Sequence, residues 1–358
     1  MDMSFWKGKR VFLTGHTGFK GAWLSYVLAC AGAELTGYAL SPPTEPNLFS
    51  ICDMENDMYS VIGDIRDKDA LFGAFDKCKP EIVIHMAAQP LVRESYNEPA
   101  YTYETNVMGT VNILECVRRT DTVRSFLNVT TDKVYSNNEW EWGYRETDTL
   151  GGFDPYSNSK ACSELVTQSY LDSFLHDRGV AVSTARSGNV IGGGDFAKDR
   201  IIPDVIRAIE KNETIPVRKP GSIRPYQHVL EPLFVYLLIA ERQYVNKDYE
   251  GCYNIGPDDD DCVTTGMLVD LFCKHWGGGL SWESGKEKGP HEAGFLKLDS
   301  SKIKARFGWK PILGIETAIT KTIEWTRAYF QHGDVKAVMD RQIGEYVTNI
   351  LKKNQKLS

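Results

Sequence analysis

The sequence predicts an α/β protein, a doubly wound parallel sheet with a smaller, interleaved C-terminal lobe. Three observations carry that reading. The chain opens on a strand, a glycine-rich turn and a helix; short apolar runs then alternate with helix-period segments; and beyond about residue 186 the alternation loosens into stretches such as Gly192-Gly193-Gly194 and Lys219-Pro220-Gly221. With 358 residues, 42% of them hydrophobic, the chain can bury one large core and still carry an appended lobe.

The elements follow in order. Arg10-Val11-Phe12-Leu13-Thr14 is the first strand, a short apolar run stopped by Gly15. Residues 22–31 place apolar side chains at 24, 27, 28 and 31, one face of a helix, which Gly32 closes. Glu34 to Leu40 returns as a second strand and completes a βαβ unit. Glu81-Ile82-Val83-Ile84-His85-Met86 and Ser125-Phe126-Leu127-Asn128-Val129 are near-continuous apolar runs, as central strands covered on both faces require, and a helical pattern runs over residues 106–119 between them. Residues 233–244 are helical inside the looser region. The expected division is therefore a nucleotide-binding domain over 1–186 with a returning segment at about 224–250, a smaller lobe over 187–223 and 251–335, and a helical tail over 336–358.

Composition excludes several classes. A net charge of −7 leaves no overall basic field for nucleic acid, so an anionic ligand must be held by local groups. The N-terminus carries an acid at position 2 and no signal-like apolar stretch, and no later run reaches membrane-span length, so the expectation is a cytoplasmic protein without a membrane partner. Eight cysteines lie scattered with no C-x-x-C pair, which argues against a disulfide framework or a zinc site; they read as buried small hydrophobes. Asp258 to Asp261 lacks the spacing of a calcium loop and reads as solvated surface, so no metal is expected.

Gly15-His16-Thr17-Gly18-Phe19-Lys20-Gly21 lies at the first strand-to-helix turn, where small residues let the backbone approach a dinucleotide pyrophosphate at the positive end of a helix, the arrangement of a Rossmann fold. The end of the second strand, Tyr38-Ala39-Leu40-Ser41, offers no acid for the adenosine ribose hydroxyls. His16 and Lys20 either add charge attraction for the phosphates or displace the usual packing.

Tyr156-Ser157-Asn158-Ser159-Lys160 sets a phenol and an amine one helical turn apart, on one face, which makes a usable acid/base pair once the ammonium and an oxidised nicotinamide favour the phenolate. Taken with the glycine spacing G-x-x-G-x-x-G, with Asn106 and with Val129-Thr130-Thr131-Asp132-Lys133-Val134-Tyr135, nearly the whole chain resembles the sugar-nucleotide epimerase/dehydratase branch of the extended short-chain dehydrogenases/reductases. The resemblance implies NAD as cofactor, with Asp64 and Ile65 at the adenine and Ala87, Ala88 and Gln89 lining the cofactor turn. It implies that Thr131 hydrogen-bonds the sugar 4-hydroxyl and that Asp132 and Lys133 occupy the two places where dehydratases carry an additional acid/base pair. Lysine in the second place is similar to the dehydratases acting on CDP-glucose, whereas those acting on dTDP-glucose have aspartate and glutamate. The implied chemistry is oxidation at C4, loss of water across C5 and C6, and hydride return to C6. Tyr156 would take the 4-hydroxyl proton, Lys133, neutralised by burial and by Lys160, the C5 proton, and a protonated Asp132 would protonate the departing hydroxyl.

In the second lobe, Asn189 within Ser187-Gly188-Asn189, Arg200 before Ile201-Ile202-Pro203, and Arg224 and His228 in the segment 224–229 resemble the family's nucleotide contacts, and arginine suits diphosphate through its bidentate donors. The resemblance further implies a homodimer or higher homo-oligomer built on the helices starting near Tyr101 and Tyr156. Two rivals remain: a sugar-nucleotide 4-epimerase, against which Asp132-Lys133 speaks, and a non-catalytic NAD-binding sensor, against which intact Thr131, Tyr156 and Lys160 speak.

Overall fold

In the computed structural model, which describes residues 2–285 and 293–355, a single sheet organises the chain. Its strands are β1 (Arg10–Thr14), β2 (Glu34–Ala39), β3 (Tyr59–Ile62), β4 (Ile82–His85), β5 (Ser125–Val129), β6 (Ala181–Ser187) and β7 (Gly251–Ile255), and they lie side by side in the order β7-β6-β5-β4-β1-β2-β3. Every neighbouring pair is parallel. The chain runs outward from β1 to β3, then jumps back to β4 beside β1, so the loops after β1 and β4 face each other at the switch point where open α/β sheets bind ligands.

Side-chain parity shows why the central strands read as continuous apolar runs. Val11, Leu13, Ile82 and Ile84 enter one core cluster while Phe12 and Val83 enter the other, on the opposite face. The first cluster takes Trp23, Leu24, Val27 and Leu28 of helix α1 (Phe19–Cys30); the second takes Leu71 and Phe75 of α2 (Lys68–Cys78) and Ile113, Leu114 and Val117 of α3 (Gly109–Arg119). The helix expected over 106–119 begins as a wider π-type turn, Glu104–Met108, before α3. Helix α4 (Pro155–Tyr170) starts at Asp154, whose carboxylate accepts the Ser157 amide at 2.9 Å, so the first turn that carries Tyr156 is firmly capped.

A third cluster forms the smaller lobe around α5 (Ile201–Lys211), α7 (Thr265–Trp276) and α8 (Ile315–Phe330). Helix α6 (Leu230–Val245) is buried on almost every side and belongs to the first core cluster, with residues of β1, β4 and β5. The C-terminal segment is helix α9 (Val335–Gln355), which puts Val335, Val338, Met339 and Tyr346 into the same cluster. Glu231 of α6, 1% exposed, accepts the Ile312 and Leu313 amides at 2.7 and 2.6 Å and the Tyr346 hydroxyl at 2.8 Å, so a single carboxylate joins α6, the lobe and α9.

The cysteines differ from expectation: only Cys52 and Cys116 are buried, and Cys30 is exposed, because Cys30 and Cys78 fall on the last positions of α1 and α2, where the helices leave the core. The Asp258–Asp261 loop is a short 3₁₀ turn whose Asp261 accepts the Ile315 amide at 2.8 Å and so caps α8.

Candidate active site

The glycine loop closes onto the loop after β4. Thr14 Oγ1 accepts the Met86 and Ala87 amides, each at 3.0 Å, and lies 2.8 Å from His85 Nδ1. A Cβ on Gly15, whose φ is +81°, would lie 2.8 Å from the Ala87 nitrogen, and one on Gly21 would lie 2.0 Å from the Gly15 carbonyl oxygen, so both positions require glycine. Gly18 caps α1 with no side-chain hydrogen bond, which leaves the first amides of a 12-residue helix open toward the switch point. Such a cradle fits the diphosphate of a dinucleotide.

Around it, Asn106 ties the turn at Gln89 to the helix of Tyr156: its Oδ1 accepts the Gln89 amide at 2.8 Å, and its Nδ2 donates to Gln89 O at 3.1 Å and Ser159 Oγ at 2.9 Å. Ile65 is buried against Gly109, and Asp64 pairs with Arg66 at 2.7 Å at the mouth of β3. Thr17 Oγ1 donates to Leu40 O at 2.8 Å, closing the end of β2 where no acid stands. Phe19 and Ala88 are partly buried beside these turns.

His16 and Lys20 part company. The His16 imidazole is fully buried in the space that Gly37 leaves, lies 2.8 Å from Ser60 Oγ, and desolvation lowers its pKa to about 4. It therefore adds no positive charge for a phosphate. Lys20 instead reaches the other side of the loop, lines the main cavity, and stands over the Tyr236 ring at 5.9 Å; burial together with Arg200 and Lys160 lowers its pKa to about 7.

That cavity, about 730 Å³, lies between the sheet's loop edge and the smaller lobe. Thr131, Lys133, Tyr156, Asn189, Arg200 and Arg224 all line it. Tyr156 is buried, and desolvation pushes its phenol up to about 12, against the lowering effect of the Thr131 hydrogen bond and Arg200. Lys160 Nζ donates to Val129 O at 3.2 Å; burial lowers its pKa to about 8, opposed by Glu164. Asp132 is 1% exposed, accepts from Thr131 Oγ1 at 3.0 Å and lies 3.4 Å from Lys133 Nζ, while its Oδ2 has no hydrogen-bond partner among the described residues. Lys133 is not buried as expected: its side chain is 29% exposed and it meets Asp132.

On the lobe side, Asn189 Oδ1 is likewise unpartnered. Arg200 pairs with Asp195 at 3.1 Å, and Arg224 donates to the carbonyls of Ile223 and Ala293. His228 is a correction. It is 0% exposed, packs edge-on to Trp23, accepts the Leu230 amide at 3.3 Å and lies outside the cavity lining. Sequence reasoning missed the rim, where Arg218 bridges Asp199 at 2.5 Å and Asp204 at 3.3 Å, and the loop residues Asn137, Asn138 and Glu139, whose isolated polar side chains carry no spacing signal.

The sequence family described as GDP-mannose 4,6 dehydratase matches residues 12–256. The chain belongs to that family. A CDP-glucose 4,6-dehydratase of Salmonella typhimurium is 48% identical over 97% of this chain and 99% of its own length. A dTDP-glucose 4,6-dehydratase of Xanthomonas campestris is 27% identical over 87% of this chain and 92% of its own. Among solved structures, the dTDP-glucose 4,6-dehydratase of Bacillus anthracis in complex with NAD superposes with a TM-score of 0.75 at 21% identity, covering 92% of this chain and 99% of that one, which shows the shared fold.

Proposed function

We propose that this chain converts CDP-glucose into CDP-4-keto-6-deoxyglucose with NAD retained from one turnover to the next. The observation that carries the reading is the Asp132 Oδ2, buried and without a hydrogen-bond partner among the described residues, beside Lys133, which lines the same cleft as Tyr156 and Thr131. A buried carboxylate oxygen without a partner is costly unless a ligand completes it, and a 4-epimerase has no need for a second proton carrier. The CDP-glucose relative, at 48% identity over nearly the full length, supports the nucleotide.

When bound, NAD supplies the oxidation at C4 and the matching reduction at C6. The chain's own side chains do the rest. Thr131 orients the 4-hydroxyl and Tyr156 accepts its proton, Lys160 holding positive charge behind the phenol. A phenol held near 12 is a weak base alone, so its activation awaits the bound cofactor and substrate. Asp132 and Lys133 divide the C5 proton and the protonation of the C6 hydroxyl. Asn189, Arg200 and Arg224 hold the diphosphate and nucleoside, with Lys20 a further cation on the cofactor side. Gly15, Gly18 and Gly21 receive the dinucleotide, flanked by Thr17, Phe19, Ala87, Ala88 and Gln89, with Asp64 and Ile65 at its adenine end. The division into nucleotide domain, lobe and tail serves this chemistry by placing the cleft between the first two. Exposed Met108 and Leu165, on the turn before α3 and on α4, support the same helices as a homodimer face.

The test is proton NMR of the protein with NAD and, in separate tubes, CDP-, dTDP-, UDP- and GDP-linked glucose. A new C6 methyl signal growing fastest with CDP-glucose, with no net NADH, supports the reading. A hexose epimer without a methyl group replaces it with the epimerase, and no reaction in any tube favours a sensor.

A further inference from the structure

Behind the cleft lies a buried ion pair that the proposed mechanism does not use. Glu164, one turn beyond Lys160 on α4, and Arg186, at the end of β6, are each 2% exposed at the side chain. Arg186 Nε donates to both Glu164 oxygens at 2.7 and 2.9 Å, and a terminal nitrogen donates to Oε2. Glu164 Oε2 also accepts the Thr184 hydroxyl at 3.1 Å and Arg186 also donates to Glu146 O at 3.3 Å, and each partner makes a further bond to one short stretch of chain. Glu164 Oε1 accepts the Thr130 hydroxyl at 2.5 Å, and Arg186 donates to the Tyr135 hydroxyl at 2.7 Å. Tyr135 in turn donates to Asn254 Oδ1 of β7 at 2.6 Å. Thr130 and Tyr135 bracket the 3₁₀ turn Asp132–Val134 and its cap Thr131, and within it the side chains of Thr131, Asp132 and Lys133 contact one another.

Taking the dehydratase reading as its basis, we propose that the Glu164–Arg186 pair is a positioning clamp for the proton-handling turn, holding it at both ends against α4, which itself carries Tyr156 and Lys160. A buried charge pair suits the task. Its hydrogen bonds to Thr130 and Tyr135 are charge-assisted and geometrically fixed, and misplacement of a reacting group by about 1 Å costs on the order of 100-fold in rate. Because the clamp's bonds to Thr130 and Tyr135 hold the turn against α4, while Tyr156 and Lys160 are carried by α4 itself, loosening those bonds separates two steps. Oxidation at C4 keeps Tyr156 and Lys160 and loses only part of its support from Thr131, so it falls less, whereas elimination, which depends on Asp132 and Lys133, falls more.

Removing Glu164 or Arg186 singly would strand a buried charge and unfold the protein, so the test loosens the grip and leaves the pair intact. Thr130→Val, Thr130→Ser and Tyr135→Phe are compared with wild type in the full-length protein with NAD and CDP-glucose, following reduced nicotinamide by absorbance and the C6 methyl group by NMR. Thr130→Val is expected to slow methyl formation about tenfold or more while reduced cofactor accumulates on the enzyme, Tyr135→Phe to do the same more weakly, and Thr130→Ser, which keeps the hydroxyl, to restore the wild-type partition. A structural role alone would lower both signals by one factor. If both signals fall together in Thr130→Val, or neither changes, the clamp is overturned while the dehydratase reading stands. If wild type itself forms no methyl group, the dehydratase reading fails and takes the clamp with it.

Discussion

Mild acid should destabilise this protein well before its carboxylates titrate. His16, His85 and His228 are at most 1% exposed, and desolvation lowers them to about 4, about 3 and about 3. In the unfolded chain each returns to its ordinary value of about 6.5. Their contribution is therefore fully present above that value and is lost as pH falls below it, because the unfolded chain takes up protons that the folded one refuses. Between about pH 7 and pH 5 each histidine costs about 2 kcal/mol, about 6 kcal/mol for the three, comparable with the entire stability of an ordinary domain. Glu146 and Glu241, raised by burial, work in the opposite direction and trim that loss. Glu81 and Glu115, held below the carboxylate range, yield only at lower pH. At about 2 cal/mol/K of unfolding entropy per residue over 358 residues, Tm should fall by about 5–8 °C. Thermal melts by circular dichroism at the two pH values, at constant ionic strength, read this directly. His228→Gln should remove about a third of the drop whatever its own baseline. Melting points within about 2 °C of each other at the two pH values would refute the neutral-histidine argument.

Other consequences are steric or concern single contacts. Gly21→Ala puts a Cβ 2.0 Å from the Gly15 carbonyl oxygen, and a forced opening costing about 3 kcal/mol should weaken NAD binding about 100-fold by calorimetric titration; an unchanged Kd in a folded variant would remove the loop from the cofactor site. Gly193→Ala drives a Cβ to 2.0 Å from the Trp325 ring and should lower stability by about 3 kcal/mol in urea unfolding, with little change in the chemistry per folded molecule. Tyr346→Phe takes the 2.8 Å hydrogen bond from buried Glu231 and should cost about 2 kcal/mol in the same assay; a smaller loss than about 0.5 kcal/mol would mean that α9 is not held through that carboxylate.

How much of this was legible in the sequence follows from the range of the forces involved. The central strands were plain because a strand covered on both faces is buried at every position and so mostly apolar, and β4 and β5 are buried throughout, with only His85, Ser125 and Asn128 polar. The glycine turn was plain because Gly15 and Gly21 are sterically obligatory, a constraint that writes itself into residue type. Tyr156 and Lys160 share one helix, so their spacing carries the geometry. His228 was misread because residue type says nothing about which way a side chain turns: Trp23, far away in sequence, decides that it packs inward. Lys20 and His16 are four apart in the same loop, yet one lines the cleft and the other fills the gap over Gly37; only the glycine in β2 distinguishes them, and that is a tertiary fact. The Glu164–Arg186 pair was invisible for the same reason, its partners being drawn from β6, β7 and the turn after β5.

The Asp132–Lys133 contact bears on how a carboxylate and an amine together can serve an elimination. Elimination across C5 and C6 needs one group that takes a proton and one that gives a proton, within reach of adjacent carbons. Two carboxylates meet that need by sharing a single proton, since like charges so close cannot both ionise. A carboxylate and an amine 3.4 Å apart meet it as well. Whether the proton sits on nitrogen or on oxygen, the pair contains one acid and one base, and one transfer across the contact exchanges the roles. What changes is net charge, which is one unit more positive than a carboxylate pair holding one proton, close to Arg200, Lys160 and a Lys20 that burial lowers to about 7. A site of that sign favours the diphosphate of a nucleotide sugar over a cationic ring, so the chemistry of the pair and the grip on each ligand are set by the same side chain.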